Sequence, residues 1–96
     1  MSRHVPRHER WIAHGPIEHR SVEGFRVFFE RGAWWAEVGY RLRPEDAPAD
    51  APAAWEPHTD RLGPFKRPRN AMVEAERHAT FLQRRHGDRV ALGAGT

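Results

Sequence analysis

A small antiparallel β-sheet packed on one C-terminal α-helix, an α+β fold, is the arrangement this chain predicts. Three observations predict it. Two aromatic-rich apolar runs, Phe25–Glu30 and Ala33–Leu42, flank Arg31-Gly32, which is a hairpin signal. Met72, Ala75, Ala79 and Leu82 recur at helical spacing, with Pro68 before them and Gly87 after. At 96 residues the chain is one domain, 1–96, with room for a single core.

The elements follow in order. Residues 1–24 form an N-terminal arm in which Trp11, Ile12 and Ala13 precede the Gly15-Pro16 turn, so a short strand near Glu9–His14 is expected beside the hairpin. Trp11 is expected to dock on the core. Ser21–Gly24 turns the chain into the first core strand. With Arg31 and Gly32 as turn residues, Arg26 faces Glu37, Phe28 faces Trp35 and Phe29 faces Trp34. The two-residue period then divides the ribbon. One face carries Phe25, Val27, Phe29, Trp34, Ala36, Val38, Tyr40 and Leu42 and is a core face. The other carries Arg26, Phe28, Glu30, Trp35, Glu37, Arg41 and Arg43. It is either covered by another segment, residues 1–24 being the candidate, or presented to a partner.

Residues 43–54 are acidic and rich in Pro and Ala, and read as an extended solvated loop. Trp55 and Leu62 mark a third strand, which Pro57 confines to a sheet edge, and a fourth strand could come from the N-terminal arm. Gly63-Pro64 turns the chain into a helix from about Pro68 to Arg85. Arg67 is a poor N-cap, and Asn70 could cap a later start. The alanines of the buried stripe let the helix approach the sheet closely. Residues 87–96 read as a mobile tail of small residues, in which Val90 and Leu92 are the ones able to pack.

Composition narrows the function. Without cysteine the chain has neither disulfides nor thiolate metal ligands. No apolar run reaches the roughly 20 residues of a membrane span, and the basic N-terminus is not followed by the apolar stretch of a signal peptide. A cytoplasmic protein is the expectation. The net charge is +3, and acidic residues 44–60 separate two basic segments. Nearly all the cations are Arg, whose planar fork suits phosphate and carboxylate, although an Arg-rich codon bias accounts for the excess equally well. No catalytic constellation is visible: Ser2 and Ser21 lack a partner pattern, and no glycine loop cradles phosphate. His4 and His8 have a ligand-like spacing, but Pro6 between them disfavours the helix that would align them. An enzyme, a metal, a cofactor and a small-molecule substrate are therefore not expected.

The run Gly32-Ala33-Trp34-Trp35-Ala36-Glu37-Val38, then Leu62-Gly63-Pro64-Phe65 and a helix with Ala71, Ala75 and Ala79, resembles the ethylene-response-factor type of DNA-binding domain and its bacterial and phage relatives. The likeness spans about residues 25–85. It implies a three-stranded antiparallel sheet on one helix, with the face bearing Trp35 and Glu37 in the DNA major groove. Several arginines around the family's hairpin contact DNA. The aligned positions here include Val27, Phe29 and Gly39, and Glu37 is the direct match.

Two functions follow. Nucleic-acid binding would use Arg26, Arg31, Arg41 and Arg43 on phosphates or base edges, with Phe28 and Trp35 stacking. A protein-interaction module, such as an accessory or inhibitor protein of a mobile element, would use the same Trp, Phe and Arg as interface anchors.

Overall fold

The computed structural model describes residues 11–48 and 54–93. They form an α+β fold in which a six-stranded antiparallel sheet packs on one helix. The strands are β1 (Trp11–Ala13), β2 (Glu18–Ser21), β3 (Arg26–Glu30), β4 (Ala33–Leu42), β5 (Glu56–Phe65) and β6 (Val90–Leu92), and α1 spans Pro68–His86. The sheet order is β1-β2-β3-β4-β5.

The β3–β4 register is the one the alternation predicts, with Arg26 opposite Glu37, Phe28 opposite Trp35 and Glu30 opposite Ala33. Arg31 and Gly32 both take positive φ, 54° and 78°, as a tight two-residue hairpin turn requires. Strand β5 pairs along nearly all of β4, with a bulge where Trp34 meets Phe65 and Ala36 meets Leu62. Strand β6 takes the opposite edge of β4, beside Tyr40–Leu42, in the lane that β3 fills next to Ala33–Glu37.

Helix α1 buries Ala71, Met72, Ala75, Ala79 and Leu82 against Phe25, Val27, Ala36, Val38 and Tyr40. Trp11 closes one side of this core and donates from Nε1 to Glu76 Oε2 at 2.9 Å. On the other side Asp60 of β5 joins sheet to helix. It accepts a hydrogen bond from Tyr40 Oη at 3.3 Å, and His78 Nε2 lies 2.7 Å from its other oxygen. Burial, reinforced by that Asp60 bond, pushes the Tyr40 hydroxyl above its usual pKa.

Several expectations change. The sheet has more than three strands, because residues 11–24 form the β1–β2 hairpin and extend the sheet sideways instead of folding over its outer face. Residues 87–92, expected in a tail, make a 3-10 turn and β6. Their anchors are the Arg43 N–H on Arg89 O and the Gly93 N–H on Gly39 O, each at 2.8 Å. Phe29 shares core parity yet stays 40% exposed, because it sits at the turn end of the sheet, where it meets Trp34 edge-on. Strand β5, expected as the third strand, runs to Phe65, and the helix runs to His86. Arg67 precedes α1 without a side-chain capping bond. His4, His8, Pro6 and residues 49–53 lie outside the described residues. Among the described residues no helix is long and apolar enough to cross a membrane, and no group of three His or acidic side chains could hold a metal ion.

The difference between Phe25 and Phe29 is measurable. Phe25→Ala removes a side chain only 2% exposed and is expected to cost about 3–5 kcal/mol in urea unfolding. Phe29→Ala should cost less than half as much. Equal losses would contradict the position assigned to the helix.

Candidate functional site

The face of the sheet turned away from α1 is built from alternate residues of the strands, and β2 to β5 supply its charged and aromatic side chains. One row crosses it in register: Arg20 on β2 stands opposite Arg26 on β3, Arg26 opposite Glu37 on β4, and Glu37 opposite Arg61 on β5. A second row beside it runs Glu18, Phe28, Trp35, ending at Gly63 where β5 bulges. Neighbouring strands lie about 4.8 Å apart, so side chains in a row touch and adjacent rows interlock.

The aromatic pair of the second row, Phe28 and Trp35, lies beneath a roof of guanidinium groups from the first. Arg26 places its guanidinium carbon 4.2 Å from the centroid of the Phe28 ring, and Arg61 lies 4.9 Å from Phe28 and 5.3 Å from Trp35. All three are cation–π distances. Phe28 is left only 5% exposed, although it points away from the core. Trp35 is half-buried. Its Nε1 donates to Glu30 O at 3.0 Å, and its ring lies where a Gly63 side chain would stand, since a Cβ there would come within 2.7 Å of it. Gly63, at φ 138°, is thus required twice, by its backbone and by the tryptophan.

Carboxylates hold the guanidinium groups in place. Glu18 Oε2 accepts from Nε of Arg20 at 2.7 Å and Nε of Arg26 at 3.0 Å. Glu37 takes Nη1 of Arg26 at 3.2 Å on one oxygen and has Nη2 of Arg61 at 3.7 Å from the other. Glu30 accepts from Arg61 at 3.2 Å. The Arg20 hydrogen bond, partly opposed by burial and reinforced by Arg26, holds the Glu18 carboxyl below its usual pKa. Burial works to lower the Arg26 pKa, but its bonds to Glu18 and Glu37 outweigh it and the net shift is upward.

The residues expected at the site divide accordingly. Arg26, Trp35, Glu37 and Arg41 lie on this face, and Arg31 is exposed at the hairpin turn. Phe28 is on the face but beneath the arginines, so it is packing and not contact surface. Arg43 is elsewhere: it donates to Ala47 O at 3.1 Å, lies 3.8 Å from Asp88 and locks the loop after β4 to the 3-10 turn. It leaves the face because β4 ends at Leu42 and the chain bends away there. Sequence reasoning missed Arg61, Glu18 and Arg20. Arg61 was accessible from parity, since it alternates with Leu62 and falls opposite Glu37. Glu18-His19-Arg20-Ser21 has no apolar alternation to mark it as a strand, because its core-side positions are His19, against Trp34, and Ser21.

No family model, curated protein or solved structure matches this chain.

Acid titration tests the carboxylate roles. The Glu18 pKa is lower folded than unfolded, so its contribution is complete above the unfolded value and disappears as the pH falls through the folded one. The parent should melt above Glu18→Gln near neutral pH, with the gap closing on acidification below the ordinary carboxylate range. A gap independent of pH would remove Glu18 from the roof.

Proposed function

We propose that the outer face of the sheet binds double-stranded nucleic acid. The observation that carries this reading is the order of its layers: guanidinium groups are outermost, aromatic rings lie beneath them, and carboxylates fix the guanidinium positions. Arg20, Arg26, Arg41 and Arg61, with Arg31 at the turn, outnumber Glu18, Glu30 and Glu37 on this face. Arginines already held in place lose less side-chain freedom when they meet phosphates or base edges. A protein interface would place aromatic anchors at its surface. A single-strand binder would keep ring faces open for base stacking. Here Phe28 is covered and Trp35 is overlain by Arg61, which favours a duplex over both. The resemblance to ethylene-response-factor-type domains, which lay the corresponding face in the major groove, supports the same surface.

Titrating the protein with duplex DNA at several salt concentrations tests this. If Arg20, Arg26, Arg41 and Arg61 each meet a phosphate, affinity should fall with salt at a log–log slope of about −3.6, near 0.9 per contact. Arg41→Ala, whose side chain is outside the carboxylate network, should make the slope shallower by about 0.9 and leave the melting temperature unchanged. A parent protein that fails to bind duplex DNA at low salt contradicts the proposal. Salt-insensitive binding of a protein partner, abolished by Trp35→Ala, would replace it.

A further inference from the structure

Beside the arginine row the outer face is almost bare. The next row along the strands holds Gly39 on β4 and Thr59 opposite it on β5, with Gly24 and Gly93 continuing the floor. These residues, with Arg20 and Arg26 on one side, line an open depression of about 250 Å³. Glu37 and Arg41 flank Gly39 two residues away in either direction, so the rows on its two sides are about 13 Å apart at the backbone.

Three of the glycines concerned have structural explanations. Gly63 makes room for Trp35. A side chain on Gly93 would overlap the carbonyl oxygen of Glu23, and Gly24 adopts φ 92°. Gly39 has none of these. Its φ is not in the left-handed range, it sits within a ten-residue strand, and a Cβ there would meet only His58 O, at 4.0 Å. Glycine weakens a strand interior, and one that neither the backbone nor its neighbours require is often found where a ligand or another backbone approaches closely.

We infer that this trench seats a phosphodiester strand, with the sugar–phosphate backbone lying on Gly39, one phosphate beside Arg20 and Arg26 and the next toward the Thr59 hydroxyl. The inference rests on the nucleic-acid reading of the face and specifies where on it the backbone lies. Arg20 and Arg26 give their Nε atoms to Glu18, and Arg26 gives Nη1 to Glu37, leaving Nη donors of both for an anion. The rim carboxylate of Glu37 is flanked by Arg26 and Arg61, which offset its charge. Thr59 is exposed on β5 and supplies a neutral donor at the far end of the floor.

At Gly39→Val the added Cβ makes only ordinary van der Waals contact with His58 O, and valine suits a strand, so the variant should melt at or above the parent temperature. Its affinity for a short labelled duplex DNA, read by fluorescence anisotropy at low salt, should fall more than tenfold, with the salt slope shallower by about 0.9 for the lost phosphate. Thr59→Val, which keeps the shape and removes the hydroxyl, should weaken binding about threefold and serves as the readout if Gly39→Val melts lower. Full affinity and an unchanged slope in Gly39→Val would overturn the seat while leaving the face as the binding surface. Undiminished binding by Thr59→Val would remove the hydroxyl from the seat. A parent protein that does not bind duplex DNA overturns both this inference and the reading beneath it.

Discussion

The two-residue period of β4 is the constraint on which the rest depends. This strand pairs with β3 and β6 along one edge and β5 along the other, so its side chains fix both faces of the sheet. Ala36, Val38 and Tyr40 set the surface that α1 covers, and Trp35, Glu37, Gly39 and Arg41 set the surface that it does not. A slip of one residue would exchange the two sets and bury Glu37. The Arg26–Glu37 and Phe28–Trp35 pairs on one side and the Glu37–Arg61 pair on the other all favour the observed register.

Magnitudes separate structure from function on the open face. Covering a Phe side chain stabilises by about 1.5–3 kcal/mol, and a partly exposed cation–π contact adds about 0.5–1 kcal/mol. Exposed ion pairs contribute about 0–1 kcal/mol each. Burial of Phe28 is therefore the main folding gain from this roof, and the carboxylate bonds chiefly decide where the guanidinium groups point. That division gives an exposed sheet face both stability and oriented cations. It also explains how a ribbon facing solvent can hold two large aromatic residues without presenting them to a partner.

Much of the fold was legible because its signals are local. The hairpin turn, the register across it, the Ala-rich stripe of α1 and its stop at Gly87 all follow from spacing within short stretches. What was not legible depends on distant segments. β2 carries polar residues on both faces and becomes a strand only because β1 and β3 flank it. Val90 and Leu92 had the right character, but only the free half of the β4 edge gives them a place. Of the site, Arg26, Trp35, Glu37 and Arg41 came from parity alone. The covering of Phe28 did not, because it requires Arg61, which lies 33 residues beyond Phe28 in the chain and reaches it through the β4–β5 register.

Mapping backbone amide chemical shifts as duplex DNA is added shows whether the outer sheet face is the nucleic-acid surface proposed for it. The largest changes should fall on β2 through β5, at Arg20, Arg26, Glu37, Gly39, Arg41, Thr59 and Arg61. The exposed side of α1, at Arg77, Arg84 and Arg85, should remain unperturbed. Changes concentrated on α1, or none at saturating DNA, would contradict that proposal.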